Sequence, residues 1–237
     1  MNTQISEGRY GSQDYGAIAK VLMHKYNSCT EIKQKELLKE SFEEDGYHKG
    51  PKEVVVLKAT KVFTYDSIMN KKMFHATVAT ETEFFRVMVF KENLEITFTP
   101  GNIIVLSDYF SISGSLMIHQ YSTVSEVNSQ NEEISSSSDE SRIPHLKICD
   151  LHLQTKEMPV DGKFKVYRKS TKNNCICYGI WDDTGAINLV VSGHLTSVNC
   201  EIGDTIRFVC FELTSYADEW FLRATRYSYM EVITPEN

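Results

Sequence analysis

Residues 163–172, KFKVYRKSTK, hold five basic side chains and no acid: Lys163, Lys165, Arg168, Lys169 and Lys172. Cations at this density suit one chemistry above others, neutralising backbone phosphates with release of condensed counterions, which gives affinity without reading base sequence. On an extended strand the side chains alternate, so Phe164, Val166 and Arg168 share one face and Lys163, Lys165, Tyr167 and Lys169 the other. The second face is a basic stripe with one aromatic, and it runs into a polar loop at Lys172, Asn173 and Asn174. The competing reading is a solvated strand face whose charges discourage edge pairing. A second candidate surface is apolar. Phe84, Phe85 and Met88, with Phe90, Met69 and Met73, are more large apolar side chains than one sheet face buries. Most belong to a core, and an exposed remainder would mark a protein contact.

Catalytic chemistry finds no such support. His75, His119, His152 and His194 are present, but no nucleophile elbow, phosphate loop or metal motif orders them. Cys175 and Cys177 share a strand face, yet the two-plus-two Cys/His spacing of a structural zinc site is missing, so they read as small buried hydrophobes. The expectation is a non-enzymatic protein with no cofactor and no metal.

The elements that carry these residues come as two copies. Residues 114–127 (GSLMIHQYSTVSEV) are echoed by 219–232 (EWFLRATRYSYMEV), with Tyr121-Ser122 matching Tyr227-Ser228. Upstream, 101–106 (GNIIVL) parallels 203–208 (GDTIRF). A period of about one hundred residues is too long for a solenoid repeat and suits a whole small domain. Within 237 residues that leaves two tandem β-rich domains. The formal charge of −7 weighs against indiscriminate nucleic-acid binding by the chain as a whole. The polar N-terminus has no signal-peptide core, so the six cysteines are expected as reduced intracellular thiols. No run of about 18 apolar residues exists to span a membrane, and no membrane partner is expected.

Residues 1–50 read as a leader, disordered at first and then helical over 17–42, with Gly46 and Gly50-Pro51 ending any helix. Residues 51–127 carry strands at 54–60, 73–80, 84–90, 102–109 and 116–127, the second and third forming a hairpin, with one or two helical turns at 91–98. Five short strands with a helical insert after the third are the layout of an OB barrel. Residues 128–145 are an acidic, serine-rich linker. Residues 146–237 then repeat the pattern, with strands beginning at 147–153 (KICDLHL) and a turn at Asp182-Asp183-Thr184-Gly185 closing the central hairpin. The fold class read here is all-β, two tandem OB barrels joined by a linker behind a short, partly helical leader.

Residues 73–90, MFHATVATETEFFRVMVF, resemble the first barrel of the HIN domain, found in interferon-inducible proteins of the pyrin-and-HIN group. The likeness continues through Pro100-Gly101-Asn102, Ser107-Asp108-Tyr109-Phe110 and Leu146-Lys147-Ile148 into a second barrel, covering residues 50–235. It implies two OB folds and a role in innate immune and interferon-response pathways, in cytosol and nucleus. Implied partners are other HIN-domain proteins, further copies of the chain, and double-stranded DNA bound without regard to sequence. The loop between the first two strands of the second barrel would help grip phosphate. The loop between its last two strands, basic in DNA-gripping relatives, is here Ser215-Tyr216-Ala217-Asp218-Glu219, aromatic and acidic. Fifty residues before the first barrel are too few for a six-helix pyrin domain. Two functional readings follow: a regulator working by self-association or HIN–HIN contact with weak DNA contact, or an autonomous DNA-binding decoy.

Overall fold

Runs rich in β-branched and aromatic side chains form the strands of both halves. A computed structural model describes residues 36–127, 140–153 and 158–233. In the first half the strands are β1 (Lys39–Glu40), β2 (Gly46–His48), β3 (Lys52–Ala59), β4 (Phe63–Asp66) and β5 (Lys71–Ala79). They continue with β6 (Glu83–Val89), β7 (Ile103–Ser107), β8 (Tyr109–Ile112), β9 (Ser115–Ile118) and β10 (Thr123–Glu126). These form one sheet in the order β10-β7-β3-β5-β6-β9-β8-β2, with β1 on β6 and β4 on β5. The second half has β11 (Pro159–Lys172), β12 (Cys175–Asp182), β13 (Gly185–Val191), β14 (Thr205–Tyr216) and β15 (Glu219–Ile233). They close a barrel in the order β11-β12-β13-β15-β14. Each half has its own core, one around Phe74, Phe98, Ile104 and Leu106, the other around Tyr178, Leu189, Phe208 and Phe211.

The sequence echo marks the same hydrogen bonds made twice. Gly101 (φ +93) donates to Val56 O at 2.8 Å, while Gly203 (φ +99) donates to Val166 O at 2.8 Å. Asn102 O and Asp204 O accept in return from Val56 N and Val166 N. Both glycines sit at a left-handed φ that a β-carbon would strain. The Tyr-Ser motif repeats as closely. His119 N donates to Ser122 Oγ at 3.0 Å and Thr225 N to Ser228 Oγ at 2.8 Å. Tyr121 N donates to His119 Nδ1 and Tyr227 N to Thr225 Oγ1. Non-glycine residues with positive φ also correspond, Asp108 (φ 56) between β7 and β8 and Cys210 (φ 61) within β14. In the first half this kink and the turn before Ser122 each break a strand, so 102–109 and 116–127 are not the two single strands expected.

Three further expectations change. Residues 147–153 are a 3-10 turn, Ile148–Leu153, rather than a strand. Ile148 N donates to Asp182 Oδ2 and Cys149 N to Thr184 Oγ1, which coils the segment and drives Leu151 into the barrel core. The helix expected over 17–42 lies mostly outside the described residues, and its described end, 36–42, is extended. There Leu38 is buried with Val55, Leu57, Ala79 and Phe84, and Ile143 covers the cluster. The acidic linker lies outside the described residues up to 139. Beyond that, Arg142 O accepts from Leu38 N at 2.8 Å, and Lys58 meets Glu140 at 3.1 Å. Because Leu38 is fully enclosed, Leu38→Ala is expected to cost about 2–4 kcal/mol, read as a lowered urea midpoint at unchanged m-value.

The hairpin that begins the first half ends up as a connector. β4 continues β3 past its bulge as residues 168–172 continue β11 past theirs. In the first half, though, this element packs on β15. Phe63 lies between the rings of His75 and His194 at 5.7 and 5.6 Å and meets Tyr229 at 5.5 Å. Tyr65 meets Tyr227, and Arg226 stacks over both rings while pairing with Asp66.

Candidate nucleic-acid interface

Strand alternation holds in β11 as far as Val166, with Phe164 and Val166 in the core and Lys163 and Lys165 outside. A bulge then intervenes, Val166 pairing with Ile180 but Arg168 with Gly179, so Tyr167 is the extra residue. Its ring lies over Gly179, where a β-carbon would come within 2.6 Å of Tyr167 Cζ. The bulge corrects the expected faces. Arg168 does not join Phe164 and Val166 but turns outward and donates to Asn188 Oδ1 at 2.8 Å. Lys169 is paired with Glu201, Nζ to Oε1 2.8 Å. Lys163, Lys165 and Lys172 remain exposed and make no ion pair among the described residues.

Asn173 and Asn174 have φ of 50° and 60° between the paired Lys172 and Cys175, a two-residue hairpin turn of the kind asparagine tolerates. Their residue type is thus fixed by backbone geometry, whatever else their amides touch. The opposite loop is shorter than the sequence suggested. Ser215, Tyr216 and Glu219 belong to the strands, and only Ala217 (φ 48) and Asp218 (φ 65) make the turn. Strand registers put the two turns at opposite ends of the β12–β13 pair, the asparagine turn beyond Ile176↔Val191 and the acidic one beyond Asp182↔Gly185. The surface between them therefore runs from cationic to anionic.

The apolar candidates are not a surface. Phe84, Phe85 and Met88 are 6, 3 and 9% exposed. Phe85 points into the first core, with the Lys52 ammonium 4.1 Å from its ring centroid. Phe84 faces the other side and is covered by Leu38 and Ile143, segments distant in sequence. Met88 lies between His75 and Met117 on the neighbouring strands. Of the wider set Met73 is buried, Phe90 is half-buried and only Met69, in the turn after β4, stays exposed; Phe84 is taken up by a second layer that the strand pattern alone does not reveal.

Sequence reasoning also missed the polar centre that joins the halves. Arg86, on the Phe84 face of β6, donates through Nε to Asp161 Oδ2 at 3.0 Å and is ion-paired with Glu40. Asp161 stands at a bulge of β11 and accepts from Cys210 N at 2.8 Å, at the matching bulge of β14. Burial pushes the Asp161 carboxyl up, but Arg86 and the Cys210 amide outweigh it and hold it below the usual carboxylate range. Glu40 goes the other way, raised by burial more than Arg86 lowers it. His75 reaches Tyr227 O with Nε2 at 2.6 Å, and its burial lowers the imidazole pKa. A cleft of about 560 Å³ runs beside this centre, with Lys163 and Arg207 on its rim. The only available signal was weak: His75 inside an apolar strand and an acid, Asp161, in a β-run. Among the described residues no group of three or more His, Cys, Asp or Glu could share a metal ion, and no helix is long and apolar enough to cross a membrane.

These features define an all-β protein whose exposed chemistry is that of binding surfaces. The chain belongs to the HIN-200 family: the model for the HIN-200/IF120x domain matches residues 48–213. It is 77% identical to mouse interferon-activable protein 202 over 217 residues, 92% of this chain and 48% of that protein. With mouse interferon-activable protein 203 it shares 53% identity over 196 residues, 82% of this chain and 48% of the relative. The chain thus spans about half the length of these relatives. Among solved structures it resembles the tetrameric p202 HIN2 at 76% identity and TM-score 0.74, covering 83% of this chain and 100% of that one. It also resembles an Ifi202 HINa domain in complex with 20-bp double-stranded DNA, at 32% identity and TM-score 0.72, covering 79% and 97%.

Proposed function

We propose that this chain is a non-enzymatic regulator of innate immune DNA sensing and the interferon response, acting by self-association and by contact with other HIN domains. Double-stranded DNA contact is a weak addition. The observation that carries this reading is the state of the basic stripe: two of its five cations are engaged by Glu201 and Asn188, and the hairpin at the opposite end of the β12–β13 pair turns at Ala217 and Asp218 beside Glu219. The 76% identity to a HIN domain solved as a tetramer supports assembly, whereas the DNA-bound HIN domain is 32% identical. Both halves are read as OB barrels, supported by their repeated hydrogen bonds and by a parallel strand pair in each, β6 with β9 and β13 with β15. We place the first barrel at 51–127, with residues 37–48 packed on it, the linker at 128–145 and the second barrel at 146–237. Cytosol and nucleus are the compartments such a role requires.

The alternative, an autonomous double-stranded DNA decoy, is favoured by one observation, the exposure of Lys163, Lys165 and Lys172. Fluorescence anisotropy across a salt series separates the two. The expected result is weak binding whose log-affinity versus log-salt slope flattens by about 0.9 for each lysine that contacts phosphate when the three are changed to Ala. Size-exclusion chromatography with light scattering is expected to show assembly that survives about 1 M salt, where the Debye length is about 3 Å. Tight, salt-steep binding by a strictly monomeric protein would establish the decoy instead.

A further inference from the structure

An exposed aromatic ladder is built from three separate segments of the first half. Tyr47 on β2, Phe110 on β8, and His119 and Tyr121 after β9 form a continuous ladder, with successive ring centroids 5.7, 5.2 and 5.8 Å apart. Ile112 lies two residues along from Phe110 on the same outward face of β8. Tyr47, Phe110, Ile112 and Tyr121 are 56, 37, 47 and 76% exposed. At the areas aromatic side chains present, this leaves roughly 400 Å² of solvated ring and aliphatic surface, about half of one partner's share of a standard interface. Contiguous apolar patches of that size on a soluble domain mark contact sites. The patch also borders β2, which ends the sheet and has only β8 as a strand neighbour among the described residues.

The ladder has opposite charges at its ends. At the Tyr47 end the phenol donates to Asp108 Oδ1 at 2.5 Å, and Asp45 is held nearby through Ser113 N. At the Tyr121 end the Lys91 ammonium reaches Ser122 O at 3.2 Å. A two-fold axis between Phe110 and His119 would stack one ladder antiparallel on another and bring each acidic end onto the partner's lysine. A surface complementary to itself in this way is what an isologous interface requires. We propose that the Tyr47–Phe110–His119–Tyr121 ladder, with Ile112, is the surface on which a second copy of this chain docks. The proposal rests on the self-association reading and gives it a location.

The test is sedimentation velocity of the full chain beside two single variants, Tyr121→Glu and Phe110→Glu. The wild type is expected at a multiple of 27.1 kDa. Each variant is expected to weaken association by about 100-fold or more, because aromatic anchors dominate interfaces and a two-fold interface contains each anchor twice. Tyr121 is the most exposed of the set, so Tyr121→Glu is expected to keep the wild-type melting temperature and to decide the matter if Phe110→Glu folds poorly. A wild-type oligomer that both variants leave intact overturns this surface while keeping the self-association reading. A monomeric wild type overturns both. A monomeric wild type that captures another HIN domain through these residues also overturns the proposal, by assigning the ladder to a heterotypic partner.

Discussion

Arg86→Ala is expected to lower stability by about 3 kcal/mol, because it leaves carboxylates facing each other in a part-buried site without their cation. For a chain of this size that corresponds to a fall in melting temperature of about 6–12 °C. The guanidinium serves two acids on different segments, Glu40 beside β6 and Asp161 on β11, so its loss strikes the packing of the two halves as well as one ion pair. Arg86→Lys is expected to recover only part of the loss, since a point charge cannot offer the planar fork that engages both carboxylates. Scanning calorimetry checks this, and a loss below about 1 kcal/mol would mean that the centre is wetter and less coupled than its geometry indicates.

Acidification is expected to destabilise the protein before Asp161 titrates. His75 has a folded pKa below its ordinary value, burial being the cause, with the Tyr227 carbonyl and Asp161 opposing it and Arg207 reinforcing it. The unfolded chain therefore takes up this proton first, and stability present above about pH 6.5 drains as pH falls toward the folded pKa. For one proton the slope is at most about 1.4 kcal/mol per pH unit. Asp161 adds a second loss lower down, because its depressed folded pKa gives stability above about pH 3.9 that disappears as the carboxylate protonates. Melting temperatures of the wild type are expected to decline between pH 6.5 and 5. His75→Gln, which keeps a donor for Tyr227 O, is expected to be flatter over that window. Equal slopes in the two proteins would remove His75 from the account.

The fold's outline was legible because its signals are local or repeated. Runs rich in β-branched and aromatic residues located β3, β5 and β6, alternation described β11 as far as Val166, and the glycine and Tyr-Ser echoes identified positions that make equivalent hydrogen bonds. What was not legible depended on partners far away in sequence. Nothing in KFKVYRKSTK announces that Tyr167 is an extra residue, so the side assigned to Arg168 was wrong. Phe84 and Met88 looked surplus because Leu38, Ile143 and His75, which enclose them, come from other segments. The 147–153 run is apolar enough for a strand, and only the carboxylate of Asp182 and the hydroxyl of Thr184 settle it as a coil. The aromatic ladder escaped notice for the same reason, since Tyr47, Phe110 and Tyr121 each look ordinary in their own stretch.

The docking of β4 onto β15 also sets how many handles the molecule has. Duplication alone would give the chain two equivalent hairpins, a matched pair for a ligand that repeats along its length, as a nucleic-acid backbone does. With Phe63 and Tyr65 committed to holding the halves together, the first hairpin offers solvent little more than its tip at Ile68 and Met69, whereas the hairpin at residues 168–178 keeps the flank from Arg168 to Asn174 at the surface. Through that element each chain is monovalent despite its internal symmetry. Avidity on a long ligand then has to come from joining chains, where every added copy raises the effective concentration of the next contact.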